Sequence, residues 1–130
     1  MIYLDTSVVL AQLLAEDIRP PKRIWDENLV SSRLMAYEVW TRINARNLAG
    51  SHGDAATALI GRTSLLELSP PVLVRVLEPF PVPVRTLDAI HLASLDFLLR
   101  NAQIAQLATY DSRMRMAAEA MGFELADLAP

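Results

Sequence analysis

Four carboxylates in this chain stand in settings where chemistry is done: Asp5, Glu38, Asp88 and Asp111. Asp5 follows the apolar run Ile2-Tyr3-Leu4, and Asp111 follows a second apolar run that ends at Ala108. In an open α/β sheet, ligands bind outside the carboxyl ends of the strands, so two acids at two such ends can meet in space. Asp88 falls in the first turn of a helical pattern that opens at Thr86, where a carboxylate favours the helix dipole. Glu38 lies within a helical pattern on the face marked by Leu34, Thr41 and Ala45. Brought together, four carboxylates repel one another and raise each other's pKa. A divalent cation relieves the repulsion, and ligands that are all oxygen suit Mg²⁺ or Mn²⁺. Such a centre activates a water and polarises a phosphate oxygen.

Taken singly, each acid has a plainer role. Asp5 and Asp111 suit helix N-caps, worth about 1 kcal/mol. Glu38 suits an i,i+4 pair with Arg42, worth about 0.3 kcal/mol. The hydroxyls of Thr6, Ser7 and Thr109 flank the acids and either orient a water or phosphate or cap helices; capping is the reading for Ser7. Arg42 either holds Glu38 or touches phosphate. His91, three residues after Asp88, lies in the apolar stretch Ala89-Ile90-His91-Leu92-Ala93 and reads as a core or interface histidine rather than a general base. Trp25, Tyr37, Trp40 and Phe97 read as packing residues, and Asp96 as a surface acid.

The elements that must position these groups alternate. Strands are expected at 1–4, 29–31, 66–68 and 104–108, with a final edge strand at 123–125. Helices are expected at 8–15, 21–28, 33–48, 54–66, 70–77, 86–100 and 112–121, the last ended by Gly122. Residues 49–53 read as a loop by composition, and Pro79, Pro81 and Pro83 keep the stretch near residue 80 extended. Strands alternating with helices imply a parallel sheet covered by helices.

At 130 residues, 52% hydrophobic and 21% charged, the chain is sized for one domain, 1–130. It has no cysteine, which excludes disulfides and thiolate chemistry. No apolar run approaches a membrane span, and the opening residues carry no secretory pattern, so a cytoplasmic protein is expected. An aspartate two residues after Asp5 would suit a haloacid-dehalogenase phosphotransferase, but Ser7 stands there; the only lysine, Lys22, is misplaced for a receiver domain. None of the four glycines forms a phosphate loop.

Four segments in order carry a wider likeness: Leu4-Asp5-Thr6-Ser7; Ser32 followed by Glu38 and Arg42; Leu87-Asp88-Ala89-Ile90-His91-Leu92-Ala93; and Ala108-Thr109-Tyr110-Asp111 followed by a helix and Gly122. Together they resemble the PIN-domain nucleases, in particular the VapC-type toxins of bacterial toxin–antitoxin pairs. The resemblance implies an α/β fold, a three-layer α/β/α sandwich around a small parallel sheet. It implies Mg²⁺- or Mn²⁺-dependent endoribonuclease activity, with Asp5, Glu38, Asp88 and Asp111 as the catalytic, metal-binding quartet. Thr6, Arg42 and Thr109 would orient the acids or the phosphate. A VapB-type antitoxin, an RNA substrate and a homodimer are the implied partners; a catalytically inactive PIN-like binding module is the alternative. Arg19, Arg23, Arg46, Arg62, Arg85, Arg113 and Arg115 are candidates for phosphate contact. The net charge of -3 fits this reading: with four of the 15 acids assigned to a metal site, the remaining 11 face 12 basic residues.

Overall fold

Ile2-Tyr3-Leu4 is apolar at every position because the strand it forms is covered on both faces, as the inner strands of parallel sheets are. In the computed structural model, which describes residues 1–14 and 17–130, this strand β1 (Ile2–Leu4) lies at the centre of the sheet. Its neighbours are β2 (Leu29–Ser32) and β4 (Gln106–Ala108), and β3 (Ser64–Leu66) pairs outside β2. All three pairings are parallel, with Tyr3 opposite Val30 on one side and Leu107 on the other.

Parallel neighbours need crossovers, and helices supply them. Alternate residues of β1 face opposite ways. Ile2 and Leu4 join Val8 and Val9 of α1 (Thr6–Leu14), Met35, Val39 and Ile43 of α2 (Arg33–Ala45), and Ala56 and Leu59 of α3 (Ala49–Gly61). Tyr3 joins Leu92 and Leu95 of α5 (Thr86–Arg100) and Met114 and Ala117 of α6 (Ser112–Ala120) on the other face. A short α4 (Pro70–Val76) packs on α5. The result is the expected α/β/α sandwich. No helix among the described residues is long and apolar enough to cross a membrane.

Several boundaries depart from expectation. Residues 49–53 are the opening of α3, not a loop. Gly53 is buried against Trp40, and a Cβ there would stand 3.2 Å from the indole, so this glycine lets two helices approach. The chain reverses instead at Asn47, which takes φ 55° and ends α2 before residue 48. The expected helix at 21–28 is a single 3₁₀ segment, Lys22–Asp26. β3 lies at 64–66 rather than 66–68, set by the pairing of Val30 with Ser64. Ile104 is exposed, and β4 begins only at Gln106. The expected edge strand reduces to one bridge, Leu107 with Leu125. The predicted end of the first helix at residue 15 lies outside the described residues.

Tyr37 is 63% exposed and packs no core. Asp96 is not a surface acid: its half-buried carboxylate takes Arg75 at 3.3 Å and Arg100 at 3.1 Å. Arg75 also lies over the Phe80 ring, 4.3 Å from its centroid, which pins the proline-rich segment to α5.

Gly122 ends α6 at φ 78°, a conformation that costs an L side chain about 1 kcal/mol, and nothing crowds its Cβ position. Gly61 closes α3 with open space around it. In urea unfolding, Gly122→Ala is expected to lower stability by about 1 kcal/mol and Gly61→Ala to raise it by about 0.5 kcal/mol.

Candidate active site

β1 delivers Asp5 to the carboxyl edge of the sheet, where the Asp5 amide donates to the carbonyl of Ala108 at 2.9 Å. Asp5 is 6% exposed and stands immediately before α1, its carbonyl accepting the Val8 amide at 3.0 Å. Its Oδ2 accepts from the Ser7 hydroxyl at 2.6 Å and from the Thr109 hydroxyl at 2.7 Å. Each hydroxyl also accepts a backbone amide of the β4–α6 turn: Ser7 takes Tyr110 N and Thr109 takes Asp111 N, both at 3.0 Å. Ser7, read from sequence as a cap, thus ties the ends of β1 and β4 together. Ser31 makes a similar stitch on the other side, donating to the Leu4 carbonyl at 2.6 Å.

Glu38 is held by a second network. Its Oε1 accepts from the Thr6 hydroxyl at 2.7 Å and from His91 Nε2 at 2.7 Å. The far side of the imidazole meets the Tyr3 hydroxyl, 2.9 Å from Nδ1. Burial pushes the Tyr3 phenol far above its ordinary range, so it stays protonated. The Glu38 carboxylate calls for the ring proton on Nε2, and in that neutral tautomer Nδ1 accepts from Tyr3. His91 is 2% exposed, the core histidine its apolar setting implied, but its polar edge is part of the site. Its Nε2 also stands 4.0 Å from Asp5 Oδ1. Sequence reasoning did not assign Tyr3 or His91 here; the three-residue spacing of Asp88 and His91 on one helix was the available signal.

Asp111 caps a helix and also borders the groove. Its Oδ1 caps α6, accepting Met114 N at 3.0 Å, and its side chain lines the same groove as Asp88. Asp88, half-buried in the first turn of α5, has its carboxyl raised above the ordinary range. Burial is the main cause, followed by the charges of Asp111 and Asp5; His91 opposes, and Glu38 adds to the rise. Asp88 therefore feels the charges of all three other acids. As the side chains stand, no three acids or histidines among the described residues form a ready-made metal cage.

The groove beside them has a volume of about 680 Å³ and is lined by Glu38, Asp88 and Asp111 together with Arg42, Arg85 and Arg113. Arg42 does not pair with Glu38; its exposed side chain, like those of Arg85 and Arg113, has no ion-pair partner among the described residues. Other candidate arginines are engaged elsewhere. Arg23 binds Asp127 and the carbonyl of Ala129, and Arg62 donates to the Trp25 carbonyl.

A family model for the PIN domain matches residues 2–120. Ribonuclease VapC47 of Mycobacterium tuberculosis (strain CDC 1551 / Oshkosh) is 30% identical over 130 residues, spanning 95% of this chain and 93% of that protein. Ribonuclease VapC46 of Mycobacterium tuberculosis (strain ATCC 25618 / H37Rv) is 33% identical over 132 residues, spanning 99% and 97%. The crystal structure of Mycobacterium tuberculosis VapC20, a sarcin–ricin loop cleaving toxin, superposes with a TM-score of 0.67 at 19% identity, covering 97% of this chain and 98% of that one. That last likeness is one of fold.

A carboxyl with a raised folded-state pKa binds its proton more tightly in the fold, so its ionisation destabilises the protein as pH rises through that value. Asp88→Asn removes the repulsion. Its melting temperature is expected to exceed that of the parent at pH 7 and to converge with it near pH 3, where Asp88 is protonated in both states. Equal melting temperatures at both pH values would contradict the repulsion.

Proposed function

This chain belongs to the PIN-domain family, and from that premise we propose that it is a metal-dependent endoribonuclease acting as the toxin of a toxin–antitoxin pair, one PIN domain over residues 1–130. The observation that carries the reading is geometric: Glu38, Asp88 and Asp111 line one groove with three arginines, and Asp5 meets Glu38 across His91 Nε2, 4.0 Å from Asp5 Oδ1 and 2.7 Å from Glu38 Oε1. The relatives named ribonucleases direct that chemistry to RNA.

An all-oxygen, mutually repelling donor set fits Mg²⁺ or Mn²⁺, which Asp5, Glu38, Asp88 and Asp111 would hold. When bound, the ion supplies an activated water and charge relief at the phosphate. The chain's own residues do the rest. Ser7 and Thr109 hold one oxygen of Asp5, leaving Oδ1 toward the site. Thr6 and His91 hold Oε1 of Glu38 in the same way. Arg42, Arg85 and Arg113 bind the phosphates on either side of the cleaved bond.

The remaining partners follow from the same reading. A VapB-type antitoxin would cover the acid groove, with an arginine against the carboxylates, and the toxin would act as a homodimer in the cytoplasm. Expression without the antitoxin arrests growth, and co-expression restores it.

Purified protein incubated with total RNA and Mg²⁺ or Mn²⁺ is expected to cut it, and chelation to stop the cutting. Asp5→Asn is expected to lower the rate by at least about a hundredfold, since metal-supplied charge stabilisation is worth several kcal/mol. Thr109→Val, which removes one of the two hydroxyl donors on Asp5 Oδ2, is expected to cost about tenfold. No cleavage by the parent protein with either metal would leave the inactive binding module as the reading.

A further inference from the structure

The acid groove does not end at the arginines. Arg85 and Arg113 are shared with a second hollow of about 490 Å³, whose other walls are Val82, Pro83, Val84 and Met116. This shelf is apolar where the first groove is charged. Met116 is 60% exposed on α6, although the neighbouring Met114 is fully buried. Its thioether and the Pro83 ring offer a surface with no hydrogen-bonding group in its side chains. The backbone that builds it is fixed from behind: Val82 and Val84 pack against the core beneath α5 and α6, and Arg75 grips the segment just before them through Phe80.

We infer that this shelf is a nucleobase subsite, in which an unpaired base next to the cleaved bond lies against Val82, Pro83, Val84 and Met116 while Arg85 and Arg113 hold its flanking phosphates. The inference rests on the ribonuclease reading for its ligand class, RNA. Two observations commit the shelf to that occupant. One is continuity: the same two arginines edge both hollows, so a strand crossing the acid groove runs onto the shelf. The other is charge: both arginines are exposed and without a carboxylate partner among the described residues, which suits a polyanion with apolar side groups. Bases lie on apolar and sulfur-bearing surfaces regardless of their hydrogen-bonding edges, so the shelf senses that a base is unpaired and splayed more than which base it is. Single-stranded loops present such bases; a duplex does not.

The test uses the full chain carrying Asp5→Asn, to prevent cutting, with Mg²⁺ present. Two labelled probes are compared: a twelve-nucleotide single-stranded RNA, and the same backbone with every base removed. The base-bearing RNA is expected to bind at least about fivefold more tightly. Adding Met116→Ser, at an exposed position, should abolish most of that preference while leaving the abasic probe unaffected. Adding Arg85→Gln should weaken both probes by a similar factor and lessen the salt dependence. Equal binding of the two probes, or a Met116→Ser effect that is the same on both, overturns the subsite and assigns the shelf to a protein segment. Failure of the parent protein to cut RNA would instead count against the ribonuclease reading, and a base preference lost in Met116→Ser would still support the subsite.

Discussion

A carboxylate buried to the extent of Asp5 is tolerated only where hydrogen bonds replace the water it has lost. Here the replacements are two hydroxyls, Ser7 from the start of α1 and Thr109 from the end of β4, both on Oδ2. Meeting that demand joins the first strand to the last across about a hundred residues of chain. The same hydroxyls then take the amides of Tyr110 and Asp111, so the turn that carries the fourth acid is placed by the needs of the first. One buried charge thereby organises the carboxyl edge of the sheet.

Glu38 is treated in the same way with different parts. Thr6, the residue after Asp5, donates to it from α1, and His91 donates to it from α5, backed by Tyr3 of the central strand. The network crosses both layers of helices and passes through the sheet. Each acid keeps one oxygen bound to the protein, which restricts its rotation. What these bonds do not remove is the mutual repulsion that raises the Asp88 carboxyl.

The polarity of the surroundings divides the groove by function. Carboxylates and arginines that have no ion-pair partner among the described residues line the groove together, and an apolar shelf continues beyond two of those arginines. The chain as a whole is acidic, yet three arginines share the groove lining with three acids. Arginines that look equivalent in the sequence are sorted by their tertiary partners. Arg23 and Arg62 brace the chain, Arg33 and Glu67 pair with each other, and Arg75 serves the proline-rich segment, whereas Arg42, Arg85 and Arg113 face the groove.

Much of this was legible from the chain alone. Alternating apolar strands and helices implied a parallel α/β sandwich, and Thr86–Arg100 and the Gly122 stop are local signals that fold as they read. The positions of Asp5, Asp88 and Asp111 at strand and helix ends follow from side-chain spacing within a few residues. Local spacing says nothing about partners far along the chain. The bonds of Asp5 to Thr109 and of Tyr3 to His91 span separations of 104 and 88 residues, and the packing of strands and helices brings them together. For the same reason Gly53 read as loop punctuation, although it sits in a helix against Trp40, and Asp96 read as surface, although two arginines enclose it. Sequence by itself determined that the four acids fall at strand ends and on helices; the packing of helices on the sheet decided which hydroxyls and which imidazole Asp5 and Glu38 meet, because hydrogen bonds and burial depend on distance in space.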